Sequence, residues 1–153
     1  MTSLSSEVGR AIKELLKAGF EVRVVGAAAL AVTLTGGITR QTLDVDLIAR
    51  IPDWSHFPTL VSALERLGWL QDRSVEHRFL HPQTGQILDL VAYVLVEPSA
   101  IRWPVSGNEM STVGLEELFR SSASEIAPGV PVIPSLAALV LLKLAAFRAG
   151  LAL

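Results

Sequence analysis

The 153-residue chain has no cysteine, which excludes disulfides, thiolate metal sites and cysteine nucleophiles. Charge is also sparse. Asp, Glu, Lys and Arg make up 18% of residues and nearly cancel, to −2 at pH 7. No global field gathers a polyanion, so such a partner must be held by a few local cations or through metal. The three histidines, His56, His77 and His81, show no pair at helical ligand spacing, although His77 and His81 could meet on one strand face. They read as surface or loop residues. Trp54, Trp69 and Trp103 form no stacking-platform pattern and read as packing anchors. No serine stands in a nucleophile-elbow motif. Residues 1–6 lack the apolar core of a signal peptide, so a cytoplasmic protein is expected. Without repeats, low-complexity segments or linkers, residues 1–153 are expected to form one domain.

Apolar residues are plentiful instead. The mean hydropathy of +0.46 is high for a free-standing monomer, and the excess is concentrated in Ser135 to Leu153. Lys143 and Arg148 interrupt that run, so a buried helix is expected there rather than a membrane span. The sequence stops three residues after Gly150 with no polar tail. Either a truncation or a helix face covered by a partner, another copy or a second protein, accounts for that.

Periodicity supplies the elements. Val8, Ala11, Ile12, Leu15 and Leu16 recur at helical spacing in Ser5 to Ala18, and Gly19 stops the helix. Val22 to Val25 is a β-branched strand ending at Gly26. Ala27 to Thr35 favours helix up to Gly36-Gly37, and Thr42 to Ala49 favours strand, closed by Pro52. Ser55 is the expected cap of a helix from Phe57 to Leu67 that Gly68 ends. Arg78 to His81 and Ile87 to Val96 are strands joined by the turn Pro82-Gln83-Thr84-Gly85. Beyond Pro98 the pattern weakens to a short helix at Leu115 to Phe119, a small hairpin at Ser124 to Ile133, and a last helix capped by Ser135. This order implies an α/β (α+β) fold with a mixed sheet flanked by helices, not a regular doubly wound one.

Within that frame, Asp44-Val45-Asp46 places two carboxylates on one face of a strand, their Cα atoms roughly 6.5–7 Å apart. Asp89 is the only ionisable group besides the Tyr93 phenol in the apolar run Ile87 to Val96. A lone carboxylate in a buried strand costs several kcal/mol unless protonated, paired or metal-bound. If the two strands are neighbours, three carboxylates converge and a divalent cation relieves their repulsion. The alternative is an ion pair between Asp89 and an arginine such as Arg40 or Arg78. Hard oxygen donors without thiolates favour Mg²⁺ or Mn²⁺ over zinc. The strand–Gly26–helix turn adds backbone N–H groups suited to phosphate.

Gly26-Ala27-Ala28-Ala29-Leu30 followed by Arg40-Gln41-Thr42-Leu43-Asp44-Val45-Asp46-Leu47 resembles the first motif of the DNA polymerase beta-type nucleotidyltransferase superfamily, and in particular its AbiEii/AbiGii-type toxin branch. Leu88-Asp89-Leu90 is similar to the later strand carrying the third carboxylate, and Leu136 to Arg148 to the helix that supplies a phosphate-proximal lysine, here Lys143. The resemblance implies a nucleotidyltransferase-like fold and transfer of a nucleoside monophosphate from an NTP to a hydroxyl of tRNA, protein or a small molecule. It implies Mg²⁺ or Mn²⁺ on Asp44, Asp46 and Asp89, which form the catalytic set. Nucleotide contacts would come from Gly26, Ala27, Arg40, Thr42 and Lys143. It also implies a toxin–antitoxin setting, with a cognate antitoxin or a second copy on the apolar C-terminal helix.

Other roles stay open. Arg40 serves equally as an ion-pair partner of an aspartate, Thr42 as a β-branched strand residue, and Lys143 as a snorkelling lysine. Ala27 stands where the family turn usually has a small polar residue or glycine, and longer family members continue past the lysine helix with further charged residues. A catalytically degenerate relative that binds nucleotide or a partner is the competing function. A plain interaction module with Asp89 salt-bridged is the third.

Overall fold

The computed structural model describes residues 5–35, 44–97, 99–120 and 122–148. The first helix, α1 (Ser6–Lys17), starts at Ser5, whose hydroxyl accepts from the Val8 amide at 3.3 Å. Its apolar stripe, Val8, Ala11, Ile12 and Leu15, is wholly buried. Each of the larger aliphatic side chains contributes roughly 1.5–3 kcal/mol of transfer free energy, as an upper bound. Strand β1 (Glu21–Val25) runs directly into α2 (Gly26–Thr35), and β2 (Asp44–Ile51) follows.

A 3₁₀ turn at Trp54–His56 leads into α3 (Phe57–Arg66). Here Asp53, not Ser55, provides the cap, its carboxylate accepting from the Ser55 amide at 2.9 Å. The expected Ser55 cap fails because the chain enters through the 3₁₀ turn, placing its start three residues earlier. Strands β3 (Leu70–Gln71), β4 (Arg78–Leu80) and β5 (Ile87–Val94) complete a five-stranded sheet of order β1-β2-β5-β4-β3. Only β2 and β5 are parallel; the other pairs are antiparallel. The mixed sheet of the sequence reading is what forms.

Two hairpins lie outside it, β6 (Ala100–Arg102) with β7 (Glu109–Ser111) and β8 (Ser124–Ala127) with β9 (Val130–Ile133). Between them stands α4 (Leu115–Arg120), and α5 (Leu136–Arg148) ends the described chain, with Ser135 accepting from the Ala138 amide at 3.2 Å.

The sheet has two unlike faces. Val45, Leu47, Ala49 and Ile51 of β2, with Leu88, Leu90, Ala92 and Val94 of β5, form a fully buried face. Helices α1 and α3, which pack on each other, cover it. The opposite face carries Asp44, Asp46 and Arg50 beside Asp89 and Tyr93. It is the side on which α4 and α5 sit.

Two sequence readings are corrected. The C-terminal helix is not buried: Ala138, Leu139, Leu142 and Ala146 face inward, but Leu144 is 61% and Phe147 83% exposed. A helix apolar all round has more greasy surface than its contacts with α2 and α4 can cover. Among the described residues no helix is long and apolar enough to cross a membrane. His81 is not a surface residue either; it is 6% exposed, its ring edge-on to Trp69 at 5.2 Å, and its Nδ1 has no hydrogen-bond partner. The tryptophans pack as expected: Trp69 and Trp103 are fully buried, and Trp54 rests on Trp103 and Phe57 at 5.2 and 5.6 Å.

Candidate active site

The parallel pairing of β2 with β5 puts Asp46 directly beside Asp89. Lateral neighbours in a sheet have backbones about 4.8 Å apart, so the two carboxylates stand side by side, with Asp44 one pleat repeat along β2. Asp44 is exposed, Asp46 half-buried, and Asp89 keeps 15% of its side-chain surface. Burial first, then the charges of Asp89 and Asp44, push Asp46 up to about 6, against the smaller attraction of Arg78 and Lys143.

Gly26 is built against that carboxylate. It has φ of +69° at the strand-to-helix junction, and a Cβ there would lie 2.5 Å from Asp46 Oδ2. The backbone conformation favours glycine, and any side chain there would displace the Asp46 carboxylate. The turn places the start of α2 beside Asp46, and the first N–H groups of a helix have no intrahelical partner and suit an anion. Ala27 follows, exposed, in the first turn of α2. Lys143 of α5 joins Gly26 in lining one small cleft with Leu30, Leu139 and Leu142. The helix reaches it because Gly114, also at positive φ, lets the Leu142 backbone approach to 3.2 Å of where a Cβ would be.

The third carboxylate is already engaged. Arg78 lies opposite Asp89 in the β4–β5 register, its Nε donating to Oδ1 at 2.9 Å and its Nη2 to Oδ2 at 3.1 Å. Arg78 was one of two partners open for Asp89 from the sequence; its hairpin position eleven residues ahead of Asp89 is the signal that selects it. The two-pronged bond raises the guanidinium pKa further above its ordinary value. Arg40 and Thr42, expected as nucleotide contacts, lie outside the described residues.

Below the acids, α4 closes the rest of the face. The Tyr93 hydroxyl donates to Glu116 Oε2 at 2.8 Å, and Arg23 Nε donates to the Leu118 carbonyl at 3.0 Å. Phe119 lies under the guanidinium groups of both Arg23 and Arg50, at 5.0 and 5.1 Å from its ring centre. Arg50 also pairs with Glu21 and, at 3.7 Å, with Glu116. These residues carried no sequence signal, since α4 is too short to show its contacts by periodicity. Among the described residues they cover the half of the face away from Asp44, Asp46 and Asp89. A larger cavity of about 670 Å³, lined by Trp54, Phe57, Val61, Glu76 and Val105 among others, opens beside α3, away from the acids.

Known structures share this fold. The chain covers 92% of itself on the lincosamide antibiotic adenylyltransferase LnuA bound to lincomycin, with TM-score 0.62 and 18% identity, spanning 86% of that chain. It matches ANT(2'')-Ia in complex with adenylyl-2''-tobramycin with TM-score 0.60 and 17% identity, over 92% of this chain and 75% of that one. For the antibiotic-resistance factor ANT(2'')-Ia in solution the values are 0.59 and 18%, over 88% of this chain and 66% of that one, just under two thirds of its length. The chain has the nucleotidyltransferase fold. No family model and no curated protein sequence matches it.

The donor set also bears on metal. Among the described residues no three His, Asp or Glu side chains are grouped closely enough to hold a cation by themselves. Mg²⁺, however, commonly takes one or two carboxylates together with substrate phosphates and water. Asp44 and Asp46 fit that pattern, because burial and the neighbouring carboxylates both disfavour the charged Asp46, and a cation would offset both.

Proposed function

We propose that the chain is a nucleotidyltransferase domain, residues 1–153, that moves a nucleoside monophosphate from an NTP to an acceptor hydroxyl. The observation that carries this reading is the pair Asp44 and Asp46, on the open face beside Asp89, with a glycine turn pressed against Asp46. Asp44 and Asp46 would hold Mg²⁺ or Mn²⁺ with the triphosphate, and Asp89 would complete the metal set. When bound, the cation supplies neutralisation of phosphate charge and a lowered pKa for the acceptor hydroxyl. The amides at Gly26 and Ala27 would orient the phosphates, and Lys143 would meet them from α5. Arg40 and Thr42 belong to the same proposal as supporting contacts. The acceptor oxygen forms a bond to the α-phosphorus, the bond to the β-phosphate oxygen breaks, and pyrophosphate leaves. The acceptor proton passes to an Asp89 carboxylate oxygen.

Of the three acceptor classes, a small hydroxylated molecule has support from the fold neighbours, whose names include an adenylyltransferase of lincosamides and a complex with an adenylyl-tobramycin. Transfer to tRNA or protein, the AbiEii-like branch, a toxin–antitoxin pairing and a cytoplasmic setting rest on the sequence resemblance. A partner or second copy on α5 has the exposed Leu144 and Phe147 in its favour.

A second reading, a degenerate relative that binds nucleotide without turnover, is favoured by one feature: both Asp89 oxygens are taken by Arg78. Incubation with α-labelled NTPs, Mg²⁺ and panels of aminoglycosides, lincosamides, tRNA and protein decides between them. Labelled acceptor with pyrophosphate release, absent in Asp89→Asn, supports the enzyme. Tight nucleotide binding with no labelled product in any panel supports the degenerate relative.

A further inference from the structure

Arg78 and Asp89 differ in freedom. The arginine side chain is 43% exposed and the aspartate 15%, so the guanidinium can leave toward solvent while the carboxylate stays fixed on β5. Arg78 stands on β4 directly beside Asp89 on β5, and Asp46 on β2 is Asp89's neighbour on the other side, so the guanidinium borders the acid row from one edge. A half-exposed ion pair adds little net stability, and a guanidinium fork matches phosphate at least as well as carboxylate. Exchange between the two is therefore inexpensive.

We propose that Arg78 is a positioning residue that guards the third carboxylate, holding Asp89 while the site lacks nucleotide and moving its guanidinium to an incoming phosphate. This rests on the nucleotidyltransferase reading. The guard keeps Asp89 from drawing a cation without substrate, and it releases Asp89 only when a phosphate competes for the guanidinium. Metal and nucleotide binding are thereby coupled through one side chain, with the reciprocity that linkage requires.

Mn²⁺ binding, measured by calorimetry without nucleotide, tests this on wild type, Arg78→Gln, Asp89→Asn and the double variant. Arg78→Gln is expected to tighten Mn²⁺ about tenfold, and the gain is expected to vanish when Asp89 is Asn. ATP binding without metal is expected to weaken about tenfold in Arg78→Gln. An equal gain in both backgrounds would mark a general charge effect and overturn the guard, as would no gain. If Arg78→Gln does not fold, Arg78→Lys retains charge without the fork and should show about a threefold gain with the same dependence on Asp89. Mn²⁺ binding that is lost in Asp44→Ala/Asp46→Ala but unchanged by Arg78→Gln removes the guard alone. No Mn²⁺ binding by any of the proteins, wild type included, removes the metal-dependent reading and the guard with it.

Discussion

Replacing Asp46 with asparagine should make the metal-free protein more stable. The substitution keeps the shape beside Gly26 and removes one of three crowded negative charges. Raising a carboxyl from 3.8 to about 6 penalises its charged form by about 3 kcal/mol. Asp46 is only half-buried, so solvent screening reduces this to about 2 kcal/mol. The sign follows from linkage. A carboxyl whose folded pKa is raised destabilises the fold as pH climbs from 3.8 to 6, and the penalty is constant above that. Asparagine has no such penalty. Thermal melts in EDTA should therefore nearly coincide for the two proteins at pH 3.5 and diverge as the pH rises from about 3.8 to about 6. At pH 7.5 the variant should melt higher by about 4–8 °C, at 2–4 °C per kcal/mol for a chain of this size. A variant that melts at or below wild type at pH 7.5 would refute the claim that burial and the neighbouring acids penalise the charged form of Asp46. Such a gain at the expense of binding is the usual trade at a functional site.

Gly26→Ala should lose at least about 2 kcal/mol in chemical denaturation and abolish nucleotide binding, since positive φ and contact with Asp46 both oppose a side chain. Tyr93→Phe should cost about 1–2 kcal/mol by removing the bond to Glu116, while titration calorimetry finds ATP affinity unchanged. Leu144→Lys with Phe147→Lys should shift stability by less than about 0.5 kcal/mol, because both side chains project from α5. Analytical ultracentrifugation of that variant should show a monomer, even if wild type self-associates through this face.

Much of the fold was legible because it rests on local patterns. Helix α1, the strand pair around Pro82 to Gly85 and the last helix follow from spacing, turn chemistry and the Ser135 cap. Asp44 and Asp46 on one face is a consequence of strand alternation alone. What the sequence hid depends on partners. Strand β3 has two residues, too short for periodicity, and exists because β4 gives it an edge. The hairpin of β6 and β7 carries no strong strand signal. His81 is buried by Trp69, which no local rule announces. The apolar content of α5 was plain, but how much of it is covered depends on α2 and α4. The fit of Gly26 to Asp46 joins residues twenty apart and becomes visible only once β1 pairs with β2.

The most direct test of the central claim is calorimetric ATP binding with and without Mg²⁺, on wild type and on Asp44→Ala/Asp46→Ala. Mg²⁺-dependent binding to wild type that disappears in the double variant is the predicted result. Binding that is absent from both, or equal in both, would contradict a nucleotide site built on these two carboxylates.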